Sequence, residues 1–174
     1  ERMKTVYGAV RDGVTVCDVG TDHALIPIEL ILSGRSESCI ITDISAPSLE
    51  KGVSNAKKAL CGDKIRSFCT NGTLKVPLDE KMDFIIAGMG GELISQILDQ
   101  DKRLKNPEYR FVLQPMSKAE ELRSYLAANG FQVLNEQKTE AQDRIYSVIT
   151  AVYTGRQIDL DPATALLGFT KVST

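Results

Sequence analysis

Asp18, Gly20, Asp22 and His23 crowd into one short run, Asp18-Val-Gly20-Thr21-Asp22-His23-Ala24. A glycine there lets a strand turn sharply into a helix, whose free N–H groups face any ligand beyond the turn. The dinucleotide fingerprint GxGxxG needs a second glycine where Asp22 stands, so only its first glycine, Gly20, is present. At close range a carboxylate repels a diphosphate and attracts a cation. S-adenosylmethionine (SAM) has no phosphate and carries a sulfonium, so the sign of this loop suits it. Asp18, Gly20, Thr21 and His23 are candidate cofactor contacts. Asp22 is the candidate for proton or charge handling, with a helix cap as the alternative use of its carboxylate.

Three further segments carry polar or glycine-rich ends. Asp43-Ile44 closes an apolar run 25 positions after Asp18, where an acid can accept hydrogen bonds from ribose hydroxyls. Asn71-Gly72 offers an amide that both donates and accepts, suited to an adenine edge, or an ordinary Asn-Gly turn. Ala87-Gly88-Met89-Gly90-Gly91 places three glycines in four positions, which lets backbone approach a ligand closely. Gln114-Pro115 is a rigid, amide-bearing pair that could border the pocket of a methyl acceptor, with Gly90 and His23 beside it.

These segments need strands that end together. Val14–Val19, Ser38–Asp43, Lys64–Cys69, Met82–Ala87 and Tyr109–Gln114 read as buried strands. Helical patterns over Ala24–Leu32, Ser45–Leu60, Glu92–Asp99 and Lys118–Ala128 follow the first, second, fourth and fifth of them. The fourth strand is expected to break at Gly88 and the fifth to stop at Pro115. Phe131–Glu136 and Ile145–Tyr153 close the pattern as an antiparallel pair. Alternating strands and helices followed by two strands describe an α/β, Rossmann-like fold. Its seven-stranded, mostly parallel sheet carries helices on both faces and binds ligands beyond the strand C-termini. Residues 1–154 are assigned to this domain and residues 155–174 to a tail leaving it.

Composition sets outer bounds. The 174 residues carry 43% hydrophobic and 25% charged side chains, ordinary for one globular domain. A net charge of −2, spread evenly along the chain, argues against a purely electrostatic RNA-binding module. Lys51, Lys57, Lys58, Lys64 and Arg66 read as a solvated face. Cys17, Cys39, Cys61 and Cys69 lack metal-ligand spacing, and His23 is the only histidine, so no metal site is expected. Cys17, Cys39 and Cys69, each in an apolar run, read as buried small hydrophobes. No apolar run reaches membrane-spanning length, and a cytoplasmic monomer or weak dimer is expected.

Asp18–Pro27 (DVGTDHALIP), Asp83–Ile94 (DFIIAGMGGELI) and Phe111–Pro115 (FVLQP) together resemble the bacterial tRNA adenine-22 N1-methyltransferase family, often called TrmK. The resemblance runs from about Arg2 to Tyr153. It implies a class I SAM-dependent methyltransferase, with SAM held across Gly20, Asp43, Asn71-Gly72 and Ala87–Met89, and tRNA as methyl acceptor. It also implies Asp22 as the catalytic group and Tyr146 as a pocket-lining residue. Leu25 stands where the family often has tyrosine, Met116 where asparagine often follows QP, and Asn71 where aspartate is usual. The family carries a C-terminal helical coiled-coil domain, to which residues 155–174 would lead. A methyltransferase acting on a small molecule or protein, and a non-catalytic nucleotide-binding Rossmann module, are the alternatives.

Overall fold

The computed structural model describes residues 1–141 and 143–169. Its elements run α1 (Arg2–Ala9), β1 (Thr15–Val19), α2 (Leu25–Leu32), β2 (Cys39–Asp43), α3 (Ala46–Lys58), β3 (Ile65–Cys69) and β4 (Met82–Gly90). They continue α4 (Gly91–Gln100), β5 (Arg110–Ser117), α5 (Ala119–Ala128), β6 (Phe131–Ala141), β7 (Arg144–Tyr153) and α6 (Pro162–Leu167). The seven strands form one sheet in the order β3-β2-β1-β4-β5-β7-β6. All neighbours are parallel except at β7, which pairs antiparallel with both β5 and β6. Sequence order reverses between β1 and β4, and a crevice opens where such a reversal separates the crossovers.

Alternating side chains bury both sheet faces. Phe84 and Ile86 of β4 join Phe111, Leu122, Leu126 and Phe131 beneath α4 and α5. Ile85, one residue out of phase, joins Val6, Val16 and Leu30 beneath α1 and α2. The Phe84 and Phe111 rings stack at 5.4 Å, and Phe111 meets Phe131 edge-on at 5.5 Å. Below the sheet, buried Asp83 accepts from Arg11 Nε and from its backbone N–H, both at 2.7 Å, which pins the α1–β1 connection to β4.

Four features depart from the sequence reading. α1 was not foreseen, because eight residues give little more than two turns of periodicity. β4 does not break at Gly88 but runs to Gly90, and β5 does not stop at Pro115 but runs to Ser117. The two continue together, Met89 opposite Pro115 and Gly90 opposite Ser117, through register shifts. Pro115 fits because β7 pairs with β5 only as far as Leu113, so no ladder hydrogen bond toward β7 is lost. Cys69 is exposed at the end of edge strand β3, whereas Cys17, Cys39 and Cys61 are buried.

Residues 155–169 lie against α5. The Ile158 N–H donates to the Ala127 carbonyl, and Arg123 Nη1 to the Ala165 carbonyl at 2.7 Å. Among the described residues, no helix is long and apolar enough to cross a membrane, and no group of His, Cys, Asp or Glu is placed to hold a metal ion.

Candidate active site

The crevice beside the β1/β4 switch holds a cavity of about 290 Å³. Asp18, Gly20, Thr21, Asp22 and His23 line it from β1 and its turn, Ala87 and Gly88 from β4, and Gln114 from β5. Arg2, Met3 and Val6 of α1 complete it with Ala24, Leu25 and Ile26 of α2. Sequence reading missed the α1 residues. Their signal, Met3, Val6, Tyr7 and Val10 at i, i+3, i+4 and i+7, spans little more than two turns.

The β1 turn is built for close approach. Gly20 has φ +74°, a conformation that L side chains rarely adopt, and the flexible Met89 side chain fills the space where its Cβ would point. Both the Gly20 and Thr21 amides donate to the Thr42 carbonyl, tying the turn to β2. Thr21 Oγ1 then accepts from the Ala24 N–H at 3.0 Å. Ala24 itself takes the left-handed conformation at φ +54°, buried against Gly52. An L-residue there costs roughly 1–2 kcal/mol, so surrounding contacts must hold the turn.

This arrangement leaves Asp22 free of capping. Thr21 binds the amide of the N-cap residue Ala24, no side chain caps α2, and the exposed Asp22 carboxylate lies 3.0 Å from His23 Nε2 and 3.6 Å from Lys51 Nζ. Asn55 Nδ2 donates to the His23 carbonyl, fixing the turn to α3. Asp18 occupies a different environment. Burial raises its carboxyl pKa to about 6, against the opposing pull of the Thr21 hydroxyl.

The glycines after β4 divide by task. Gly88 has φ +78° and open space where a Cβ would point, and its amide donates to Gln114 Oε1 at 3.1 Å. Gly90 caps α4. Gly91 is required by packing, since a Cβ there would run into the Lys118 carbonyl oxygen, a backbone atom that cannot yield. Of the three glycines read as ligand-facing, only Gly88 faces the cavity. Gln114 is buried and spends its amide on the chain, accepting from Gly88 and donating to the Pro115 carbonyl at 2.9 Å.

Other expected residues lie beside the cavity. Asp43 Oδ1 accepts from the Ser45 N–H at 2.7 Å, and Ile44 is exposed after it. Asn71 is exposed beyond β3, facing Gln100 Nε2 at 3.4 Å, and Gly72 packs under Gln100 and Ile97 with φ +58°. Both sit on the same edge as Gly20 and Gly88, in the order β3, β2, β1, β4. Three strand spacings, roughly 14 Å, separate the ends of this row, enough for a nucleoside with an amino-acid tail. Met89, Gly90 and Pro115 flank the cavity without lining it. Tyr146 is buried on β7 and touches the cavity only through Arg2, whose guanidinium carbon sits 5.7 Å from its ring centroid.

Residues 1–149 match a sequence family described as a methyltransferase domain. The Mycoplasma genitalium protein MG248, named as a candidate tRNA methyltransferase, is 30% identical over 97% of this chain and 76% of its own length. The tRNA (adenine(22)-N(1))-methyltransferase of Bacillus subtilis is 26% identical over 87% of this chain, which spans 63% of that protein. A Streptococcus pneumoniae protein described as a candidate tRNA (m1A22) methyltransferase, crystallised with S-adenosyl-L-methionine, superposes with a TM-score of 0.86. It is 30% identical and covers 97% of this chain and 78% of its own.

Proposed function

Because the chain belongs to the bacterial tRNA adenine-22 N1-methyltransferase family, we propose that it transfers the methyl group of SAM to N1 of adenine 22 in tRNA, in the cytoplasm. One observation carries the reading. The turn at the β1/β4 switch keeps a single glycine, carries Asp22 where a dinucleotide fingerprint needs its second glycine, and adds the Asp18 carboxylate to the cavity wall. Those two carboxylates, acceptors and anions, fit a ligand with a sulfonium and an ammonium. The row of strand ends gives its nucleoside a place, with Asp43 toward ribose and Asn71 toward adenine.

Bound SAM supplies an electrophilic methyl on positively charged sulfur. The protein's part is alignment, because the displacement needs adenine N1, methyl carbon and sulfur in line. Gly88 leaves open space at the β4 end, Gln114 holds that glycine turn, and the backbone of β1 bounds the other side. The target base must leave its stack to enter the pocket. Transfer of that methyl to N1, with the sulfur leaving as a neutral thioether, would put positive charge on the adenine ring. Asp22 stabilises that charge, or takes a proton from the acidified exocyclic amine. His23 and Lys51 hold its carboxylate in place.

The test is mass spectrometry of nucleosides from unmodified tRNA incubated with the protein and SAM. A rise in 1-methyladenosine, absent when adenine 22 is replaced, is expected. Methyl transfer to a metabolite extract with unmodified tRNA would instead support a small-molecule acceptor.

A further inference from the structure

Four arginines of this chain, Arg11, Arg35, Arg103 and Arg123, pair with carboxylates. Arg2 lines the cavity and has no ion-pair partner among the described residues. Its guanidinium packs toward the Tyr146 ring, 5.7 Å to the centroid, and its Nη1 rests 2.9 Å from Met116 Sδ. An arene face and a thioether hold a cation in position but accept hydrogen bonds poorly. A planar fork of donors is thus fixed at a ligand cavity with its hydrogen-bonding capacity largely unused. Such a fork matches the two oxygens of a carboxylate.

We infer that Arg2 is the residue that recognises the α-carboxylate of the cofactor's amino-acid end. The inference rests on SAM being the ligand of this cavity. Its charge pattern suits a zwitterion, with the Asp18 carboxylate for the ammonium and Arg2 for the opposite charge. Tyr146 then acts as a positioning residue. Its ring fixes the guanidinium from β7, and it needs no contact with the ligand. Met116 gives the same service from the end of β5.

Calorimetry on the intact chain with two ligands tests this without relying on turnover. SAM and decarboxylated SAM differ only by the carboxylate, so the wild-type protein is expected to bind SAM about 10–100-fold more tightly, the range of one charge-assisted bidentate contact. Arg2→Met should weaken SAM by a similar factor and leave decarboxylated SAM nearly unchanged. Arg2→Lys should recover only part of the difference. Tyr146→Leu should reduce discrimination, and Tyr146→Phe should keep it, since the ring and not the hydroxyl is used.

Equal wild-type affinity for the two ligands would overturn the inference while leaving SAM as the cofactor. So would an Arg2→Met variant that loses both ligands equally, since α1 would then be merely structural. Loss of tRNA binding at unchanged SAM affinity would overturn it too, by assigning Arg2 to a phosphate. Failure of wild-type protein to bind SAM at all would remove the functional reading itself. The wild-type comparison needs no variant and so stands whether or not the substituted chains fold.

Discussion

Gln114 Oε1 on β5 accepts the Gly88 amide hydrogen of β4 at 3.1 Å, so a side chain holds the glycine turn that faces the cavity. Backbone pairing cannot do this, because the β4–β5 register shifts between Ala87 and Met89 and leaves Gly88 out of the ladder. Gln114→Leu would strand a half-buried amide and the Pro115 carbonyl. Each costs about 1–3 kcal/mol when left unpaired. Chemical denaturation should show the loss of stability, with weaker SAM binding alongside it. Unchanged values of both would mean that water replaces the amide.

Gly88 and Gly91 should fail differently when substituted. Gly91→Ala places a methyl against the Lys118 carbonyl oxygen, so a loss of at least about 2 kcal/mol in folding stability is expected. Gly88→Ala meets open space, and its left-handed φ should cost only about 1 kcal/mol. Its methyl projects from the turn that borders the cavity, so SAM affinity should fall more than stability. Thermal melting and calorimetry on the two variants separate the cases. Equal stability losses would contradict the division of labour.

The same glycine run shows what a sequence can and cannot disclose. Strand positions and the β1 turn were legible because apolar runs punctuated by Gly20, Gly72 and Asn129-Gly130 leave few other foldings. The order of loops around the cavity followed from the topology rule. Which glycine faces ligand was not legible, since Gly88, Gly90 and Gly91 look alike until Lys118 is brought beside one of them. Arg2 was invisible for a similar reason. Nothing local announces that the first helix reaches Tyr146 and Met116, more than a hundred residues away.

Asp22 offers the sharpest test of chemistry. It is exposed and caps no helix, so Asp22→Asn should fold normally. If the carboxylate handles the proton, turnover should fall by roughly 10²–10⁴, with SAM affinity less affected. Single-turnover assays on tRNA, paired with calorimetry, would measure both. Undiminished turnover would leave alignment alone as the source of catalysis.

Arg123 and Glu136 form a buried pair that ties α5 to β6 and to the end of α6. Burial alone would raise Glu136, but hydrogen bonds from Arg123, from Ser147 and from the Phe169 amide hold it down at about 2. A carboxylate depressed in the fold stabilises it above the unfolded value near 4.5, and that contribution fades as pH falls from there toward 2. Acid titration should therefore loosen residues 155–169 in this window. Arg123→Ala removes two charge-assisted hydrogen bonds from Glu136 but leaves Lys138 Nζ 3.1 Å from its Oε1, so it should cost about 1.5–3 kcal/mol at neutral pH. Hydrogen exchange at Ile158 would follow the segment directly, and no change there would deny the pair its anchoring role.

Asp18 gives the opposite sign. Its carboxyl is raised to about 6 by burial, so the fold prefers it protonated, and ionisation removes stability as pH climbs from the unfolded value near 4 through 6. A bound ammonium reverses that preference, because only the ionised form pairs with it. SAM should therefore bind more tightly as pH rises from 5 to 7 and release up to one proton from Asp18 at the lower end. Asp18→Asn should flatten this dependence, bind SAM more weakly at pH 7, and gain stability there relative to the wild type. Calorimetry in buffers of different ionisation enthalpy counts the released proton. A pH-independent affinity in the wild type would remove Asp18 from the ammonium site.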